Sequence, residues 1–342
     1  MVEKFIVSRD DSIYQAFPDV ALTPTGKLLC VFLECTHHAD RSYTNNMVVA
    51  STDRGRTWSP KQPLTPALRG DPKKGDPSYD CPRITTLSDG RLAAIINRAH
   101  ENLLMFSEDE GETWSEMAPT AVEGGVPDKL IELKVGPDAG RWLLEAHVEQ
   151  KGGWAVRNWF SDDQGKTWRG PRLIAQDPDL FLCEGSILEC PGGQLVCFMR
   201  ENSHMGYDCF KCISTDGGET WEGLYRMPVP GCHRPVAGML RSGKVLITHR
   251  YCQGGKGWLG WWTQNFFAAL TDVESCLARD RQRAQCRILP LDYDRSPVSD
   301  CGYSGWVQFP DGEVYVVNYC VDDAPKGHIR GYSLRESDLI LA

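Results

Sequence analysis

The sequence lacks long apolar runs, and no window approaches the roughly 20 consecutive apolar residues that a membrane-spanning helix needs. It also lacks a basic run. The formal net charge is −9, so nucleic acid and anionic membrane surfaces are not expected partners. Apolar heptads and a strand–helix alternation are missing too, which argues against coiled coils and α/β folds. One stretch looks helical, DVESCLARDRQRA at 272–284, and reads as an insertion. The opening MVEKFIVSRDDSIYQ has no apolar core of signal-peptide length, so a cytoplasmic location is expected. Cys-x-x-Cys occurs once, as CFKC at 209–212, with no second pair at zinc spacing. It reads as structural, and neither a metal site nor a cofactor is expected. The 14 cysteines, many in strand-like runs such as those of Cys30, Cys197 and Cys320, read as reduced buried thiols.

What the sequence does have is a repeat. STDRGRTW at 51–58, SEDEGETW at 107–114, SDDQGKTW at 161–168 and STDGGETW at 214–221 share Ser-x-Asp-x-Gly-x-Thr-Trp at intervals of 56, 54 and 53 residues. In this phrase Asp accepts backbone N–H groups in a tight turn, Gly supplies positive φ, and Thr and Trp lead into a strand. A period near 50–55 residues suits a four-stranded propeller blade, and 342 residues hold six. The 272–284 stretch stands where a fifth box is due. The expected fold is all-β, a six-bladed β-propeller of four-stranded antiparallel sheets, in one domain over 1–342.

A second repeated phrase is an apolar strand, a glycine turn and another strand. Aligned on Gly26, Gly90, Gly193, Gly243 and Gly312, it places Phe17, Cys81, Glu184, Arg234 and Tyr303 nine residues upstream. The third blade has no clear register, and Asp128 and Lys129 are its nearest polar residues. Equivalent positions on first strands form a ring in a propeller, which groups Glu184, Arg234 and Tyr303.

The four boxes resemble those of the sialidase (neuraminidase) superfamily, the BNR or Asp-box proteins, over most of the chain. CEGSILECPGGQLVCFMREN is similar to the family segment carrying the catalytic Glu and, one strand later, an Arg, here Glu184 and Arg200. GYSGWVQFPDGEVYVVNY is similar to the segment of the nucleophilic Tyr, here Tyr303, and THHAD offers Asp40 as the acid/base. The resemblance implies a retaining exo-glycosidase acting on a terminal sialic acid or related sugar. Tyr303 would attack, Glu184 would take its proton, Asp40 would serve the leaving group, and arginines would hold the sugar carboxylate.

The family's first arginine falls in QAFPDV, where Ala16 or Phe17 stands instead. Arg234 and Arg250 are both candidates for the third arginine, and Arg83 for a substitute. Asp19 is a candidate for binding a sugar hydroxyl. Other readings stay open. Polysaccharide lyase chemistry on uronic acids would use His233, Arg234 and Tyr303, with His37, His38, His147 and His249 as further candidates. Trp258, Trp261 and Trp262 would form a sugar-stacking wall, and a non-catalytic glycan-binding propeller is the third reading.

Overall fold

The structure, a computed structural model, describes residues 2–151, 153–254 and 263–340. The three tryptophans of the 254–267 stretch lie outside them. The fold is an all-β six-bladed propeller of antiparallel sheets. Five sheets have four strands, and the one starting at Tyr14–Leu22 carries a fifth short strand, Leu68–Arg69. Blades 1 to 6 begin at Tyr14, Arg83, Ile131, Leu182, Cys232 and Cys301. The last blade takes its outer strand, Glu3–Ser8, from the start of the chain, paired with His328–Arg335. Residues 1–119 with 293–342 form one compact unit, holding blades 1, 2 and 6. Residues 120–292 form the other, holding blades 3, 4 and 5. Among the described residues no helix is long and apolar enough to cross a membrane.

Each Ser-x-Asp-x-Gly-x-Thr-Trp box joins the third strand of its blade to the fourth. In the third blade the Asp163 carboxylate accepts the Thr167 N–H at 2.8 Å, the Thr167 hydroxyl at 2.6 Å and the Ser161 hydroxyl at 2.8 Å. The Ser161 oxygen in turn accepts the Gly165 N–H, and Gly165 has φ +84°. The same bonds recur around Asp53, Asp109 and Asp216. Bonds donated to the ionised form favour it. Asp53, Asp109 and Asp163 are accordingly held at about 2, with the Thr hydroxyl as the main cause. Thr and Trp finish the turn rather than start the strand, which begins at Arg169 after Trp168. Boxes also brace the preceding blade: Tyr315 donates to the Gly55 carbonyl at 2.7 Å, and Asn158 to that of Gly218 at 3.2 Å.

In the fifth blade the box is replaced by a short helix, Val273–Leu277, capped by Asp272. The fully buried Lys211 ties it to the fourth blade, donating to the carbonyls of Ser275 and Cys276 at 2.7 Å each. Cys209 and Cys212 sit three apart on the strand Asp208–Ser214 and point to opposite faces, so they cannot chelate one ion. All 14 cysteines are free thiols, and 13 are buried.

A bulge interrupts the first strand of four blades, between Ala16 and Asp19, Cys183 and Ser186, His233 and Val236, and Cys301 and Ser304. Each inserts one residue and turns the next backbone into the left-handed region: Phe17 has φ +56°, Glu184 +49° and Arg234 +50°. In the last blade Gly302, φ +103°, holds that place, and Tyr303 takes the next one, beside Pro18, Gly185 and Pro235 in the other blades. The strand between bulge and turn is one residue longer there, which moved Tyr303 into the slot when residues were counted back from Gly312. The third blade gains a register as well. Val126, φ +44°, followed by Pro127 and Asp128, matches Phe17, Pro18 and Asp19.

Candidate active-site residues

In the 120–292 unit the bulge presents Glu184, and the strand pairing places Arg200 opposite Cys183. Arg200 Nη1 lies 2.8 Å from each carboxylate oxygen of Glu184, and Arg200 also bonds Asn202. The Glu184 N–H points to Nδ1 of His147 at 3.4 Å, whose ring stacks on Trp154. Burial alone would raise the Glu184 pKa, but the charges of Arg200, Arg234 and Arg250 outweigh it and lower the value to about 2. The arginines thus favour the ionised form of Glu184.

Arg250 is buried and donates to the neutral Gln264 side chain at 3.0 Å. Burial, then the charges of Arg200 and Arg250, push the His233 pKa well below the usual value. His249 is fully buried, and its pKa falls to about 4 for that reason.

Arg234 is held by the third blade. It is fully buried, and Nη2 donates to the Pro127 carbonyl at 2.8 Å, with Asp128 at 3.8 Å. Its guanidinium braces the third-blade bulge. Arg83 does the same in the other unit. It is 1% exposed, and Nη1 donates to the carbonyls of Pro18 and Ser304 at 3.3 and 3.2 Å. Asp19 completes that arrangement. It is fully buried, accepts the N–H groups of Val20 and Ile84 at 2.9 and 3.0 Å, and lies 3.8 Å from Arg83. Asp19 and Arg83 thus brace the first strands of their unit.

In the unit of residues 1–119 and 293–342, Tyr303 belongs to an aromatic cluster. Its ring centroid is 4.9 Å from that of Phe17 and 6.1 Å from that of Tyr319. Phe17 also meets His38 at 5.1 Å edge-on and lies under the Arg41 guanidinium at 5.0 Å. Asp300 is the acidic hub. It accepts from Tyr319 at 2.6 Å and from Tyr14, and lies 2.5 Å from His38 Nδ1. Burial and then Asp300 raise the Tyr14 pKa. Asp40 is exposed at the end of the His37–Asp40 hairpin, its carboxylate accepting the Ser42 N–H at 2.9 Å. That bond lowers its pKa.

Sequence reasoning missed Asp300, although it stands three residues before Tyr303, and Glu145, two before His147. Glu145 is buried, accepts the Gly185 N–H at 3.0 Å, and has its pKa raised well above normal by burial. An acid at i−2 of a histidine in an alternating strand shares its face, and that was the available signal.

Comparison with known proteins agrees with the resemblance. A family model described as the BNR repeat-like domain matches residues 84–316. A sialidase of Micromonospora viridifaciens is 29% identical over 233 residues, 60% of this chain and 35% of its own length. The chain spans about a third of the length of the curated relatives it matches. Among solved structures, a Dyadobacter fermentans protein of unknown function superposes with TM-score 0.77 at 21% identity, covering 98% of this chain and 99% of its own. An intramolecular trans-sialidase from Ruminococcus gnavus gives 0.69 at 15% identity, with 96% of both chains covered. At these identities the structural likenesses carry the fold alone. The boxes, the blades and the match over 84–316 lead to one statement: the chain belongs to the BNR repeat-like domain family of the sialidase superfamily.

Proposed function

We propose that the chain is a sialidase-superfamily glycoside hydrolase that releases a terminal sialic acid or related acidic sugar with retention. The observation that carries this reading is the buried Glu184–Arg200 contact, with Arg250 acting on the same carboxylate. Two buried guanidinium groups, those of Arg200 and Arg250, suit a sugar carrying its own carboxylate, because charge-assisted bonds to an anion are strong where water is scarce.

The chemistry follows from the substrate. A carboxylate nucleophile is repelled by the acid group beside the anomeric carbon, whereas a phenol is neutral until it attacks. Tyr303 oxygen forms a bond to the anomeric carbon as the glycosidic C–O bond breaks. The phenol proton passes to a base, a role the resemblance gives Glu184. The leaving oxygen takes a proton from an acid, a role it gives Asp40. Water then attacks the tyrosyl-linked sugar, the Tyr303–carbon bond breaks, and the product keeps its configuration.

Two features bear on these roles. A base near pKa 2 accepts only a transient proton, so Glu184 does not serve as a resting proton store. Phe17 at the first-arginine position leaves Arg200 and Arg250 as the arginines for the anion, with Arg234 and Arg83 engaged in bracing. The test is a panel of 4-methylumbelliferyl glycosides run on the wild type and on Tyr303→Phe. Sialoside turnover in the wild type, abolished in the variant, supports the reading. Turnover of neutral glycosides alone sinks the substrate assignment.

A further inference from the structure

Three side chains in the 120–292 unit have no part in the chemistry above. His204, His233 and Cys252 each bring one ligating atom within 4.8 Å of those of the other two. The strand register explains two of them. His233 pairs with Arg250, and Cys252 lies two residues further along the same strand, so both side chains share a face. His204 arrives from the turn after the strand Leu195–Glu201, with φ +60°. Its carbonyl accepts the Gly254 N–H at 2.9 Å, and the Cys252 N–H donates to the Gly231 carbonyl at 2.9 Å, so the backbones of both ligands are held. The His204 and His233 rings lie 5.3 Å apart at 49°.

The spacing is that of a metal centre. Zinc holds imidazole nitrogen at about 2.1 Å and thiolate sulfur at about 2.3 Å; at a tetrahedral angle those two atoms stand about 3.6 Å apart. His204 Nδ1 and Cys252 Sγ are 3.6 Å apart, a thiol–imidazole hydrogen bond whose length also fits that spacing. A second, independent observation is His233 itself. It is 1% exposed, and among the described residues its Nδ1 has no hydrogen-bond partner. A buried polar atom is normally satisfied, and its lack of a partner calls for an explanation.

We propose that His204, His233 and Cys252 form a three-ligand site for a thiophilic d10 cation of the zinc type. Binding breaks the Cys252 S–H bond and forms a metal–sulfur bond, and the proton goes to solvent. The ion keeps its oxidation state. His204 is only partly buried, and water is the fourth ligand proposed. Arg200 and Arg250 oppose added positive charge near His233, and the thiolate offsets one unit of it. Affinity below that of a four-ligand structural zinc site is therefore expected.

The experiment uses the full chain, reduced and stripped by chelator, titrated with Zn²⁺ by calorimetry and with Co²⁺ by absorption spectroscopy. One equivalent binds, and cobalt shows a thiolate charge-transfer band. Cys252→Ser abolishes the band and weakens Zn²⁺ binding by roughly ten-fold or more. His204→Gln, placed on a turn, weakens binding similarly and keeps the test alive if the cysteine variant does not fold. Cys209→Ser, remote in role, leaves band and affinity intact. A wild type without the band, or a band that survives in both Cys252→Ser and His204→Gln, overturns the site.

Discussion

Both carboxylate oxygens of Glu184 lie 2.8 Å from a single nitrogen of Arg200, and the contact is buried. Arg200 is the first of the charges that overcome burial and keep Glu184 ionised. Replacing it with Met removes that charge, so the Glu184 pKa rises. The acid limb of kcat/KM therefore moves to higher pH in Arg200→Met, alongside a fall in rate. A pH–rate profile with an unmoved acid limb contradicts the link between the two residues.

Arg250 is expected to meet the substrate anion. Losing a buried charge-assisted contact costs about 2–5 kcal/mol. Arg250→Met should therefore lower kcat/KM for a sialoside by roughly 30- to 5,000-fold. Steady-state kinetics check this, and a change within two-fold removes Arg250 from the binding role.

By the family resemblance Ala16 or Phe17 falls where an arginine is expected, and the surroundings of Phe17 do not suit a cation. Tyr303, Tyr319 and His38 ring it, and Arg41 already lies over its face at 5.0 Å. Phe17→Arg would bury a second guanidinium against the first. The expected result is a lower melting temperature and no gain in sialoside affinity. A folded variant with a lower KM contradicts this account of the aromatic cluster.

The boxes set an acid limit on stability. Asp53, Asp109 and Asp163 are held near 2 when folded, against about 3.9 when unfolded. A depressed folded pKa contributes stability above the unfolded value and loses it as pH falls toward the folded one. Stability should therefore decline between about pH 4 and 2. The triple Asp→Asn variant at 53, 109 and 163 is less stable at neutral pH and shows a shallower decline. Urea unfolding across that range measures both, and an unchanged slope counts against it.

Gly305 and Asp19 test the bracing of the first strands. A Cβ at Gly305 would stand 1.9 Å from an Asp19 carboxylate oxygen. Asp19 cannot yield without releasing the N–H groups of Val20 and Ile84 and the facing Arg83. Gly305→Ala should cost about 1–3 kcal/mol or more in urea unfolding. A neutral result would mean that the packing is looser than described.

The blades were legible because the box is local chemistry: Ser, Asp, Gly and Thr bond one another within eight residues, so spelling and geometry coincide. Glu184 and Arg200 were legible because one hairpin carries both. The bulge was not, since it shows only in pairing to a second strand; counting from Gly312 thus displaced Tyr303 by one place, and the third-blade Val126 went unread. The burial of Arg83, Arg234 and Asp19 is long-range as well. A charged residue at a strand start looks the same in sequence whether it meets a ligand or a neighbouring blade's carbonyl.

The central claim is a tyrosyl-linked intermediate. The most direct measurement is mass spectrometry of proteolytic peptides after incubation with a fluorinated sialosyl donor, whose glycosyl–enzyme breaks down slowly. The account predicts one sugar adduct, on the peptide containing Tyr303, and none in Tyr303→Phe. Sialoside turnover with no adduct on that peptide, or turnover undiminished in Tyr303→Phe, would contradict it.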